Sequence, residues 1–182
     1  MIYFIVGTDT DCGKTHVAKK FAESKCVIKP IETGKNSFAD INDSDCYQLA
    51  KIQNKDIKDI NVYFFNHPTS PHQAADLDGE EIDIDFVKSF INEKEETYVE
   101  LAGGLMVPLV GSYTQLDLIK EVGGEVILVI GNKLGCINHS LLTLKVLKDS
   151  GIKIKEVIFN DFGEVNEMTI ENERIIRELG DL

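Results

Sequence analysis

The first fifteen residues constrain this chain more than any other part of it. Residues 2–6, Ile-Tyr-Phe-Ile-Val, are an apolar run that ends on Gly7. The segment Gly7-Thr8-Asp9-Thr10-Asp11-Cys12-Gly13-Lys14-Thr15 then leads into a helix-patterned stretch at 15–24. A strand that turns through a glycine-containing loop into a helix aims successive backbone N–H groups, and the positive end of the helix dipole, at one point in space. Such a concavity suits an anion, phosphate above all. Lys14 is placed to reach the β/γ-phosphates of a polyphosphate, and the Thr15 hydroxyl to hold Mg²⁺. Asp11, Cys12 and Gly13 supply the backbone between. The strict spacing G-x(4)-G-K-[ST] is missed by one residue, because Thr8 stands where the first glycine belongs and Gly7 precedes it. A chance Gly-Lys-Thr at a helix start would not explain strand, glycines, lysine, hydroxyl and helix in that order.

The remaining pattern predicts an α/β fold. Residues 2–6, 26–28, 98–101, 126–130 and 155–159 read as strands, and 15–24, 43–51, 83–92, 114–121, 138–150 and 165–179 as helices from apolar spacing near 3.6. The run Val-Ile-Leu-Val-Ile at 126–130 is apolar without alternation, as expected of a strand covered on both faces of a parallel sheet. A mostly parallel sheet flanked by helices in three layers follows, with ligands beyond the carboxyl ends of the strands. The stretch 54–81, with Pro68 and Pro71, is expected to be a long active-site or interface loop, and the charge run 93–96 a solvated turn. The 182 residues fit one domain, 1–182.

Composition narrows the partners. Net charge is -12, with 31 acidic against 19 basic residues. Nucleic acid and anionic membranes favour basic patches, so neither is expected as a partner. No apolar run approaches the ~20 residues that span a bilayer, and the N-terminus lacks a signal peptide's basic lead. A cytoplasmic location is expected. Cys12, Cys26, Cys46 and Cys136 include no CxxC pair and suit a reduced chain. Cys136 and His139 share a C-x-x-H spacing, but two candidate ligands do not make a zinc site. Asn132-Lys133-Leu134-Gly135 approximates a guanine-reading NKxD motif without its aspartate. Asp40, Asn42 and Ser44 start like a calcium loop, yet Asp45 and Lys51 occupy the positions of its required glycine and glutamate.

Several segments together resemble the dethiobiotin synthetase family. They are the GTDT-D-C-GKT loop, Lys29-Pro30-Ile31-Glu32-Thr33-Gly34, Asn42-Asp43-Ser44-Asp45 and Thr69-Ser70-Pro71-His72, followed by Glu100-Leu101-Ala102-Gly103-Gly104, Lys133-Leu134-Gly135-Cys136-Ile137-Asn138-His139 and Asn160-Asp161. The resemblance implies a P-loop enzyme that closes a cyclic urea on 7,8-diaminopelargonate (7,8-diaminononanoate) with CO₂, with ATP as co-substrate and Mg²⁺ as cofactor. Lys14 and Lys29 would flank the γ-phosphate and carbamate as the catalytic cations, because phosphoryl transfer asks mainly for positioning and charge neutralisation. Thr15, Asp45 and Glu100 offer hard oxygen ligands to Mg²⁺. Capping its own helix is the alternative use of Asp45, and it stays open here. Thr10, Thr33 and Gly103 would meet the substrate. Asn138 would serve the site of a neighbouring subunit, which implies a homodimer with shared sites. The nucleotide would contact Asp11, Cys12, Gly13, Lys14, Thr15, Asp45, Glu100 and Gly103, and Asn160 suits adenine's N6/N7 edge.

Two departures from the family pattern carry expectations. Leu101 replaces a family glycine and is tolerable unless that position needs φ > 0. The sequence ends at Leu182, shorter than fuller members, so an open base pocket with weak base discrimination is expected. The rival functions are a small-metabolite P-loop kinase and a regulatory switch of the ParA/MinD kind. The latter's early loop lysine is replaced here by Asp9.

Overall fold

In the computed structural model of the chain, which describes residues 1–93, 96–163 and 165–182, apolar runs without alternation become the central strands of a parallel sheet. The elements are β1 (Ile2–Gly7), α1 (Lys14–Ala22), β2 (Val27–Ile28), β3 (Ile31–Glu32), α2 (Asp45–Gln53), β4 (Tyr63–Phe64), α3 (Pro71–Asp78) and α4 (Ile84–Asn92). They continue with β5 (Thr97–Gly104), β6 (Pro108–Val110), β7 (Tyr113–Thr114), α5 (Gln115–Val122), β8 (Glu125–Gly131), α6 (Cys136–Asp149), β9 (Lys153–Asn160) and α7 (Glu167–Gly180). The main sheet has the order β2-β5-β1-β8-β9, and every pairing within it is parallel. Phe4 and Ile5 of β1 and Val126 to Ile130 of β8 are at most 2% exposed. Burying each such side chain is worth roughly 1.5–3 kcal/mol, which makes these two strands the centre of the core.

Strand order decides what meets at the carboxyl edge of the sheet. The loop after β1 lies in the middle. On one side stand Glu100 of β5 and Lys29, which follows β2. On the other stand Gly131, ending β8, and Asn160, ending β9. Residues from four distant parts of the sequence therefore flank one phosphate-binding loop.

The stretch 54–81 is more ordered than its prolines suggest. It holds β4 and α3, and Ile60 and Phe65 are buried to within 1%. Pro71 occupies the first turn of α3, where its missing N–H costs nothing, and Gly79 ends the helix at φ 69. The short pairs β3–β4 and β6–β7 were not among the expected strands, and Thr114, expected as the first residue of a helix, ends β7 and caps α5. The helix expected at 43–51 begins at Asp45 and runs to Gln53. The charge run 93–96 lies partly outside the described residues.

Asn132, just past β8, is a fastening point. Its Nδ2 donates to Asp161 Oδ1 at 2.7 Å and to the Thr169 carbonyl at 2.9 Å, while its Oδ1 accepts from Asn172 at 3.1 Å. At 3% exposure the Asn132 amide is spent on tying α7 to the sheet, which removes it from any base-reading role. Asn132→Ala leaves these groups unpartnered and should lower the unfolding free energy by about 2 kcal/mol. Urea denaturation measures this, and a change below ~0.5 kcal/mol would show that water replaces the network.

Candidate active site

The loop after β1 is shaped by two left-handed residues, Asp11 at φ 56 and Gly13 at φ 100. Aspartate tolerates this region better than most residues, and glycine adopts it freely. Gly7 does the work of the displaced first glycine. A Cβ there would sit 2.6 Å from Cys12 Sγ and 2.8 Å from both the Asp9 carbonyl and Lys14 Nζ. Only a glycine lets the Lys14 ammonium fold back and donate to the Asp9 carbonyl at 3.0 Å. Asn160 braces the loop from the far side, with Nδ2 donating to the Cys12 carbonyl at 3.1 Å. A Cβ on Gly13 would collide with that nitrogen at 2.1 Å.

On the near side four side chains converge. Thr15 Oγ1 donates to Asp45 Oδ2 at 2.9 Å and lies 2.7 Å from Glu100 Oε1. Lys29 Nζ donates to Glu100 Oε1 at 3.0 Å and to Asp45 Oδ2 in a shorter contact. Burial works against the Lys29 charge, but the carboxylates of Glu100, Asp45 and Glu32 outweigh it and hold the ammonium well above its ordinary pKa. Burial also opposes the Asp45 charge, and Lys29 with the hydrogen bonds from Lys29 and Thr15 overcomes it, leaving that carboxyl below its usual value.

Asp45 is therefore no helix cap. It is the first residue of α2, and its side chain turns to Thr15 and Lys29. The capping falls to Glu32, which the sequence reading quoted in its motif but did not assign to the site. Its Oε1 accepts from the Asp45 N–H and its Oε2 from the Cys46 N–H, each at 2.8 Å. Glu32 is 3% exposed; burial pushes its carboxyl up, with Lys29 and the Cys46 hydrogen bonds opposing. A glutamate in a two-residue strand gives no local sign that it will meet a helix start thirteen residues on, so only the packing exposes this role.

The donor set fits Mg²⁺. Glu100 is 1% exposed and its Oε2 has no hydrogen-bond partner, a costly orphan unless a cation meets it. Among the described residues no three His, Cys, Asp or Glu side chains gather into a metal site. Two carboxylates and a hydroxyl are what Mg²⁺ uses when phosphate oxygens complete its shell.

These groups line a cleft of about 420 Å³ that also takes in Thr10, Asp11, Gly13, Thr33 and Gly103. A second cleft of about 360 Å³ adjoins it, sharing Thr10, Thr33 and Gly103 and closed by Ser70 and Pro71 at the start of α3. The expected loop at 54–81 thus reaches the site through the head of a helix. Gly103 at φ 73 is the glycine this strand end requires, whereas Leu101 has no left-handed backbone and is buried at 5% exposure. Cys12 is buried beneath the loop. Asn138 is exposed on α6 and does not line the cleft of its own chain. Cys136 is buried against Asn132 while His139 is exposed, so the pair does not converge on a metal. Asp40 Oδ1 is engaged locally by the Asn42 N–H and amide at 2.9 and 2.7 Å.

A lysine and threonine on a strand–loop–helix, with carboxylates from the neighbouring strand β5 and the start of α2, define a P-loop nucleotide-binding protein. A family model described as an AAA domain matches residues 2–182. The chain is 40% identical over 179 residues to the ATP-dependent dethiobiotin synthetase BioD of Legionella pneumophila (strain Corby), covering 93% of this chain and 84% of that protein. It is 36% identical over 176 residues to the synthetase of the same name from Francisella tularensis subsp. tularensis, covering 87% and 76%. The chain belongs to the dethiobiotin synthetase family. A ParA family ATPase from Chlorobium tepidum superposes with a TM-score of 0.57 over 96% of this chain and 79% of that one, at 14% identity, a likeness of fold alone.

Glu32→Gln keeps the shape but turns an amide N–H toward one of the two helix N–H groups, loosening Asp45. Residues that orient metal ligands typically change metal affinity 10–100-fold, so half-maximal activity should need about tenfold more Mg²⁺. Asp45→Asn and Glu100→Gln should raise the requirement at least as far. A Mg²⁺ titration unchanged in all three variants would remove the metal from this cluster.

Proposed function

We propose that this chain carries out the ATP- and Mg²⁺-dependent carboxylation and ring closure of 7,8-diaminopelargonate to dethiobiotin. The observation that supports it most directly is the pair of adjoining clefts. One holds the phosphate loop with Lys29, and the other, across Thr10, Thr33 and Gly103, has room for a small-molecule acceptor.

In the proposed reaction one amine of the substrate takes up CO₂ to give a carbamate, losing a proton. A carbamate oxygen attacks the γ-phosphorus, the bond to the β–γ bridging oxygen breaks, and ADP leaves. The second amine then attacks the carbonyl of the mixed carbamic–phosphoric anhydride, phosphate departs, and the ring closes. Lys14 and the amides of residues 13–15 hold the phosphates, and Lys29 balances charge between γ-phosphate and carbamate. Thr10 and Thr33 donate to the carbamate, and the φ of Gly103 lets the backbone approach it. Thr15, Asp45 and Glu100 would hold Mg²⁺, which when bound spreads the charge developing on the β- and γ-oxygens. Assembled donors of this kind act in a partly dry cleft where they need no reorganisation.

Asn138 is read as reaching the substrate of a second copy. It sits in the first turn of α6, where N–H groups favour an anion such as the substrate carboxylate. Nearby, Leu142 on the same helix and Met106 after β5 are each 57% exposed and line one groove, an apolar surface suited to a homodimer.

Phosphate release from ATP should depend jointly on bicarbonate and diaminopelargonate. Lys29→Ala should lower turnover by a factor of 10²–10³, about 3–4 kcal/mol, at saturating Mg²⁺. Near-normal turnover would sink the carbamate-site assignment, and release without the diamine would favour a kinase or ATPase switch.

Shared sites give a second expectation. Mixing a Lys14→Ala chain with an Asn138→Ala chain should restore activity, because one composite site in each mixed dimer is intact. No recovery after verified subunit exchange counts against a shared site.

A further inference from the structure

Phe162 lies just beyond β9 and combines two features that its local packing does not explain. Its backbone is left-handed at φ 53, a conformation that bulky side chains avoid. The residue is also 52% exposed, although aromatic surface gains most by burial. The conformation is fixed from within the site, since the Phe162 N–H donates at 3.2 Å to Oδ1 of Asn160, the residue whose amide braces the phosphate loop. The held turn lays the ring back over the end of β8. A Cβ on Gly131 would meet Phe162 Cζ at 3.1 Å and Cys12 Cα at 3.0 Å, so ring, strand end and loop are in close approach.

Sheet order gives this ring a direction. The cluster that suits the metal and γ-phosphate, Lys29, Asp45 and Glu100, lies on the β2–β5 side of the loop. Phosphates laid along the amides of residues 13–15 from that side bring ribose and base out on the other, over the ends of β8 and β9. Asn160 and Phe162 are there, and the second N–H of the Asn160 amide is free to meet a base edge.

We propose that Phe162 is the face on which the nucleotide base stacks. The inference rests on the nucleotide-site reading above and adds the residue that holds the base. Stacking on a phenyl ring accepts any base, because each has a π-face. Stacking by itself therefore gives little discrimination between bases.

The test compares binding of ATP, GTP and tripolyphosphate to the wild-type chain, Phe162→Ala and Phe162→Tyr, by calorimetry with Mg²⁺ present. Phe162→Ala should weaken ATP and GTP about tenfold, ~1.4 kcal/mol, and leave tripolyphosphate within about twofold. Phe162→Tyr should restore both nucleotides. Unchanged ATP affinity in Phe162→Ala overturns the proposal. So does an equal loss for tripolyphosphate, which would make Phe162 a support for the loop. A wild-type chain that binds neither ATP nor tripolyphosphate overturns the nucleotide site itself, a failure distinct from both.

Discussion

Lys29 Nζ and Thr15 Oγ1 lean on the same two oxygens, Asp45 Oδ2 and Glu100 Oε1. Glu32, Asp45 and Glu100 bring negative charges together in a cleft that buries most of their surface, an arrangement that would repel itself if left alone. Two things offset it. The Lys29 ammonium stands among all three, and the first N–H groups of α2 take up both oxygens of Glu32. A buried ion pair of this kind contributes little net stability, because desolvation consumes most of the Coulombic gain. Its value lies in position. The end of β2, the start of α2, the middle of β5 and the start of α1 can take few relative placements while those contacts hold.

The same cluster reconciles an acidic protein with an anionic ligand. A net charge of -12 disfavours a polyphosphate at long range, but at physiological ionic strength that field fades within about 8 Å. Close to the loop the balance is set by the helix N-terminus and by Lys14 and Lys29, all of which line the cleft. Local, desolvated charges outweigh a larger but screened surface charge.

The polar fastenings behind the loop serve the same end. Asn160 fixes the Cys12 carbonyl, and Asn132 fixes the strand end beside it to α7. Asn160 was expected as a base reader. The structure gives most of its amide to the loop and to the Phe162 N–H, which makes it first a brace.

The sequence by itself determined the phosphate loop, the parallel sheet, the family, and Lys14, Lys29, Asp45 and Glu100 among the cleft's charged residues, though not Glu32. Each of these is written in short stretches: a strand, a loop and a helix in succession, apolar runs without alternation, and motifs of a few contiguous residues. Helix ends shifted by a residue or two because caps, not apolar spacing, set them. α3 was hidden because proline starts a helix as readily as it interrupts one. Tertiary structure alone decided that Asp45 is turned to Lys29 rather than capping its helix, that Glu32 does the capping, and that Gly7 serves in place of the missing first glycine. It also decided that the Phe162 ring comes to rest against the end of β8 at Gly131. The physical reason is common to these cases. A side chain with several possible partners takes the one that strand order brings within hydrogen-bonding distance, and strand order joins residues far apart in the chain.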